Sequence, residues 1–511
     1  MRTDWAIARM VREWAVRTPE RPCLVSGETT RTWRELYDRT SRLAHALLQA
    51  GLAPQDRAIY LGKNRPEFFE ILIGASMAGV VTAAVNWRLA PREMLQIINH
   101  STARVLFVDS EFVGHIEQIH SELTVLETVI VIGPGAGDSE YETWLDASLA
   151  KDPHVELLAA DIAFQMYTSG TTGLPKGVMF SNQAVRATIA SAPLLRIDQN
   201  AVVLVAMPVF HAVGSAFGIQ ALSVGATCVI ARDFVPETLL SLIEGKRITV
   251  APLVPAALKM LIESPSAGSR DLSSLRSISY SASPITLVLL QAIVDRFNCD
   301  VVQLYGLTET LLATLLTTED HTDPVHPERR LSAGRPVAGS SVRIADPVTG
   351  QEVPPGEFGE VWVRCTTQMS GYWHDPAMTA AAITPDGYIR TGDGGYLRDG
   401  YLYLRDRIKD MIVSGGENVY PIEVENVLIT HPGVTDVAVI GVPSEKWGET
   451  VKAIVVRSPS APDLSAAELI RFAKQNLAGY KCPTSIEFWP ELPRNAAGKM
   501  LKREMRAAFT A

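Results

Sequence analysis

Residues 167–177 read Tyr-Thr-Ser-Gly-Thr-Thr-Gly-Leu-Pro-Lys-Gly. The six small or hydroxylated residues from Thr168 to Gly173 make a loop between regular elements, and the backbone amides of such a loop can approach an anion closely. The hydroxyls of Thr168, Ser169, Thr171 and Thr172 add donors, Gly170 and Gly173 keep the backbone bare, and Lys176 adds a charge. That combination suits a triphosphate. A Walker A loop does not fit, because Pro175 stands where its second glycine belongs and Gly177 where Ser or Thr would hold magnesium. Local donors matter here, since 47 Lys and Arg against 56 Asp and Glu leave a net charge of −9. Clustered positive charge is what binds nucleic acid, and this composition excludes it as a partner.

A chain of 511 residues exceeds one hydrophobic core, so at least two domains are expected. Thr32 and Glu35 form a capping box, with Leu36, Leu43 and Leu47 at helical spacing and Gly51 at the end, which predicts a helix from Trp33 to Ala50. β-rich runs at Ala58–Leu61, Val80–Ala84, Val105–Val108 and Val129–Ile132 alternate with helix-length segments such as Glu67–Met77, the rhythm of a parallel sheet covered by helices. From Ser340 to Tyr403 the turn residues multiply around short strands such as Glu360–Val363, predicting an antiparallel subdomain. A helix opens at Pro421; strands at Val437–Val442, Val451–Val456 and Ile486–Phe488, and a second capping-box helix from Ser465 with Glu468, complete a compact last hundred residues. The fold class is therefore α/β, with a boundary near Asp406–Lys409 and no internal repeat.

The Tyr167–Gly177 loop resembles the phosphate-binding signature of the adenylate-forming superfamily, which includes acyl-CoA and aryl-CoA synthetases, peptide adenylation domains and firefly luciferase. The resemblance continues in the family's order through Tyr305-Gly306-Leu307-Thr308-Glu309, Thr391-Gly392-Asp393, Asp406–Pro421 and Pro493–Lys502. It implies a large N-terminal domain, 1–406, of two mostly parallel helix-covered sheets plus an antiparallel β subdomain. A small mobile α+β C-terminal domain, 407–511, would follow.

The same resemblance assigns roles. Glu309 would hold Mg²⁺ bridging phosphate oxygens, a task suited to a lone carboxylate beside a nucleotide; as an acid after an aromatic-glycine turn it also fits a helix N-terminus near Thr308. Tyr305 offers a face for adenine, with Gly306 and Thr308 alongside. Ser283 lies in Tyr280–Pro284, where side chains replace the glycines usual in the wall behind adenine. Asp393 and Arg407 would bind the ribose hydroxyls. Lys499, in a turn near the C-terminus, matches the adenylation lysine: carboxylate attack on the α-phosphate brings anion to anion, and an ammonium bridging both relieves that repulsion. Lys409 matches the hinge of a C-terminal domain that swings between two poses, and Gly415 and Gly416 match the pantetheine tunnel. His211, with Gly214 and Ser215 beginning the pocket wall, would meet the acyl group.

The reading is an ATP-, Mg²⁺- and coenzyme A-dependent acyl-CoA ligase acting on a carboxylic acid, a fatty acid first. Aryl or polycyclic acids remain alternatives, as does a free-standing enzyme loading a carrier protein. An amino-acid substrate would need an acid near the pocket to hold its amine, and residues 208–218 offer none. A non-catalytic member would be expected to lose Lys499 or Glu309, and both are present. Five scattered cysteines without a CxxC pair suggest a reduced, cytoplasmic setting. The stretch from Ala201 to Ala231 lacks Asp, Glu, Lys and Arg, but Pro208, His211, Gln220 and three glycines break it into strand, loop, helix and strand rather than a membrane span. Peripheral membrane contact and self-association are left open.

Overall fold

The computed structural model describes residues 6–133, 140–169, 175–283, 285–407, 410–414, 417–444, 447–494 and 500–509. The helix at Trp33–Gln49 begins as its sequence dictates. The Thr32 hydroxyl accepts from the Glu35 amide at 3.3 Å, and the Glu35 carboxylate accepts from the Thr32 amide at 2.7 Å. All four early β-rich runs are strands to within one residue, and the uncharged stretch after Ala201 is strand Val202–Val205, helix Ala212–Ser223 and strand Thr227–Ile230. No helix among the described residues is long and apolar enough to cross a membrane. The second capping box is only half made. Ser465 caps the Ala466–Asn476 helix without a return bond from Glu468, whose carboxylate lies 3.7 Å from the His431 imidazole instead.

Two large sheets sandwich the main core. In the seven-stranded sheet, Ile162–Ser169, Val81–Val85, Arg57–Leu61, Val105–Asp109 and Thr128–Ile132 run parallel, with Pro175–Ser181 and Gly371–Tyr372 added antiparallel at one side. The nine-stranded sheet has a parallel centre of Asp300–Tyr305, Ser277–Tyr280, Val250–Leu253, Val202–Val205, Thr227–Ile230 and Pro22–Ser26. Helix Pro66–Met77 lies in the core between them, and Phe68 and Phe69, both fully buried, join side chains from both sheets in one cluster. Strands Ser340–Ala345, Gly359–Cys365, Ile389–Arg398 and Tyr401–Arg407 form an antiparallel sheet. A smaller C-terminal domain holds the last sheet, whose strands all fall after Met411 and enclose their own apolar cluster. Ligands of parallel sheets gather beyond the carboxyl ends of the strands, and the loop after Ser169 and the turns after Val205, Tyr280 and Tyr305 all leave from such ends.

Candidate active site

The described residues of the Tyr167–Gly177 motif lie at the paired ends of the two arms of a β-hairpin, Ile162–Ser169 and Pro175–Ser181. Its arms pair Thr168 with Lys176, Tyr167 with Gly177 and Ser169 with Pro175. Opposed residues emerge on one face of a sheet, so Thr168 and Lys176 share a face and Tyr167 takes the other. The buried Tyr167 phenol accepts from the Gln165 amide at 3.0 Å and lies 3.1 Å from His100 Nδ1, anchoring the base of the hairpin. Gly170, Thr171, Thr172 and Gly173 lie outside the described residues.

One tyrosine links this hairpin to the acid expected to hold metal. Tyr372 pairs with Val178 of the second arm, its ring centre stands 5.3 Å from the Lys176 ammonium, and its hydroxyl donates to Glu309 Oε1 at 2.8 Å. Burial and the adjoining carboxylate push the Tyr372 phenol well above its ordinary pKa, so it stays a donor. Sequence reasoning missed this residue; the only local signal is an aromatic pair after Gly371.

Glu309 sits in a turn rather than a helix. The Leu311 amide bonds the Leu307 carbonyl at 2.8 Å, the Leu307 amide bonds the Thr310 hydroxyl at 2.8 Å, and Thr308 lies between. Gly306 is required at the neck of this turn, because a Cβ there would stand 2.1 Å from the Leu311 carbonyl oxygen. At the strand end just before it, the Tyr305 hydroxyl donates to Asp393 Oδ2 at 2.9 Å. Asp393 is oriented by Thr391, whose hydroxyl accepts from the Asp393 amide at 3.0 Å while donating to the Val361 carbonyl at 2.6 Å. Arg407 is the direct cross-strand neighbour of Asp393. Ser283 follows the neighbouring strand Ser277–Tyr280, and among the described residues no hydrogen bond joins it to the others.

His211 immediately precedes helix Ala212–Ser223. Its Nε2 is buried with no hydrogen-bond partner among the described residues, and burial together with the Arg88 charge lowers its pKa from 6.5 to about 4. It is therefore neutral near pH 7, with one ring nitrogen buried and unpaired among the described residues. The helix behind it packs tightly: a Cβ on Gly214 would meet the Pro208 carbonyl oxygen at 2.3 Å, and the buried Ser215 hydroxyl bonds back to the His211 carbonyl at 3.1 Å. Asn64, also missed from sequence, fixes this segment. Its side chain accepts from the Val209 amide at 2.9 Å and donates to the carbonyls of Met207 at 3.0 Å and Ala231 at 3.1 Å, tying the end of Arg57–Leu61 to two strands of the other sheet.

Between hairpin and helix runs a narrow cleft. Phe164, Met166 and Phe180 of the hairpin arms face Ala216 and Ile219 of the helix, with Val185 and Thr188 at one side and Leu311 at another. None of these is charged, and the Thr188 hydroxyl is satisfied by the Ala184 carbonyl at 3.0 Å. Lys409, Gly415, Gly416 and Lys499 lie outside the described residues.

Known proteins share this arrangement across the whole chain. The AMP-binding enzyme profile matches residues 11–373, and that family's C-terminal domain profile matches residues 423–499. The chain belongs to the AMP-binding enzyme family. It is an AMP-forming acid–thiol ligase of the adenylate-forming superfamily. It is 39% identical to the fatty acid–[acyl-carrier-protein] ligase ScoC of Streptomyces coeruleorubidus, over 96% of this chain and 94% of that protein. Feruloyl-CoA synthase of an Amycolatopsis species is 37% identical, over 97% and 98%. The crystal structure of ATP-bound MatB from Rhodopseudomonas palustris superposes with a TM-score of 0.90 at 27% identity, covering 98% of this chain and 99% of that one.

Proposed function

We propose that this enzyme joins an apolar carboxylic acid, a fatty acid in the first instance, to coenzyme A through an acyl adenylate. The observation that carries the reading is the uncharged lining of the narrow cleft between the hairpin and the Ala212–Ser223 helix, with Leu311 of the Glu309 turn in its wall. In the first half-reaction a carboxylate oxygen attacks the α-phosphorus of ATP and pyrophosphate leaves. In the second the thiol attacks the acyl carbon, AMP leaves, and the thiol proton passes to solvent.

The residues present fit a magnesium ion. Glu309 has one oxygen engaged by Tyr372, its Oε2 makes no hydrogen bond among the described residues, and no cluster of three His, Cys, Asp or Glu side chains exists among them. Magnesium is commonly held by one carboxylate, with phosphate and water oxygens completing its shell. When bound there it would neutralise charge on the phosphates. Thr168, Ser169, Gly170, Thr171, Thr172, Gly173 and Lys176 would cradle those phosphates, with Tyr305, Gly306, Thr308 and Ser283 around adenine and Asp393 with Arg407 on the ribose. His211, with Gly214 and Ser215 behind it, would meet the acid. Lys499 would bridge the attacking and accepting anions; Lys409 would be the hinge and Gly415 and Gly416 the tunnel wall of a mobile domain beginning at residue 407.

A carrier protein's phosphopantetheine thiol is a second acceptor worth testing, because ScoC, at 39% identity, is named for one. Pyrophosphate release across a panel of carboxylic acids, with coenzyme A or a phosphopantetheinylated carrier protein added, separates the readings. Release with fatty acids and turnover only with coenzyme A is the expected result; release with no apolar acid would overturn the reading. Lys499→Ala is expected to abolish adenylation while still converting preformed acyl adenylate to thioester. Equal loss of both half-reactions would remove Lys499 from its role.

A further inference from the structure

Leu311 is an unusual residue in an unusual place. It follows Glu309 by two residues and holds φ +54°, a left-handed conformation in which a branched side chain crowds its own backbone. Strain of this kind persists only where the surroundings impose it. Here the amide of Leu311 is fixed to the Leu307 carbonyl at 2.8 Å, and its carbonyl fills the space that Gly306 leaves by lacking a Cβ. The turn that presents Glu309 therefore also dictates where the Leu311 side chain goes, and it goes into the cleft, packed among the core side chains beside Ala216, Ile219 and Met166.

The cleft is nearly full as a result, with space for no more than about one water molecule. A close-packed interior does not yield continuously, so a ligand longer than the open space must displace a side chain that can move or stop against one that cannot. The surrounding helix residues are locked by regular backbone on both sides. Leu311 stands on a six-residue turn whose geometry already serves Glu309.

We propose that Leu311 is the specificity-determining plug of the acyl cleft: it sets the largest acid that can lie with its carboxylate beside Glu309. The inference rests on the reading that this cleft takes the acyl group, and it goes further by assigning the size limit to one side chain. Removing the four side-chain carbons of Leu311 makes room for about three to four methylene groups. Ala216, on the opposite wall, gives the reverse lever, since enlarging it narrows the same space.

The test is the chain-length profile of pyrophosphate release, measured with linear and aryl-substituted acids on wild type, Leu311→Gly, Leu311→Ala and Ala216→Leu. Both Leu311 variants should move the optimum to acids about three methylenes longer, raising kcat/KM for those acids about tenfold or more while short acids are still activated. Ala216→Leu should move the optimum to shorter acids. Should both Leu311 variants fail to fold, the Ala216 variant alone decides: an unmoved optimum overturns the proposal. Wild type releasing no pyrophosphate with any acid would sink the functional reading itself. An active wild type whose optimum stays put in every folded variant sinks only the plug.

Discussion

Replacing Tyr372 with phenylalanine isolates the contact that couples the Ile162–Ser181 hairpin to Glu309. The substitution keeps the ring, and with it the 5.3 Å contact to the Lys176 ammonium, and removes only the hydroxyl that reaches Glu309 at 2.8 Å. A hydrogen bond to a charged acceptor contributes about 1.5–3 kcal/mol. Tyr372 is 7% exposed, so water replaces the lost donor poorly and the upper half of that range applies. If Glu309 must be aimed at the metal for adenylation, this loss appears in the transition state as a fall of about 50- to 150-fold in kcat/KM for pyrophosphate release. The apparent magnesium requirement should rise in parallel, because an unaimed carboxylate binds the ion less well. Pyrophosphate release titrated with MgCl₂, alongside thermal unfolding to show that the variant remains folded, reads both effects. A folded Tyr372→Phe enzyme with wild-type rate and magnesium dependence would refute the reasoning.

Three further outcomes follow from the same geometry. Gly306→Ala should cost about 1–3 kcal/mol of stability and distort the Glu309 turn, read by denaturant unfolding and pyrophosphate release together; a variant as stable and active as wild type would mean the turn relaxes freely. His211 has a folded pKa near 4 against 6.5 unfolded, so the unfolded chain binds the proton first and stability falls as pH drops from 6.5 towards 4. That contribution, about 3 kcal/mol at most and fully present above pH 6.5, should vanish in His211→Asn, and an unchanged stability–pH slope in that variant would refute it. Tyr305→Phe should raise the KM for ATP more than it lowers kcat, since it removes the hydroxyl that helps orient Asp393 Oδ2; an unaltered KM for ATP would sink that prediction.

Much of this enzyme could be read locally. The Trp33–Gln49 helix is specified by Thr32 and Glu35 three residues apart, and four strands of the seven-stranded sheet coincide with short β-rich runs to within one residue. The motif residues are likewise contiguous, so their chemistry is visible before any folding is known. What escaped is what joins segments distant in the chain. Tyr372 meets Glu309 across 63 positions, and Asn64 meets Val209 across 145. Nothing near Asn64 distinguishes a buried three-way backbone tie from a surface amide, because the partners are carbonyls and an amide that every residue possesses. Glu309 suited a helix N-terminus by composition, but the Gly306–Leu311 packing imposes a closed turn instead. Glu468 was legible as half of a capping box, but its position near His431, 37 residues earlier in the chain, was not.

The pairing of Thr168 with Lys176 has a consequence for how such a sequence can vary. Side chains along each arm alternate sides, so deleting or adding a single position within Pro175–Ser181 would turn the lysine towards the interior and bring a neighbour out in its stead. Length changes are constrained wherever the ladder is kept. Within the arms they can occur only in pairs, and any homologue with an odd offset there must have lost the lysine from the face it shares with Thr168 or rebuilt the whole ribbon.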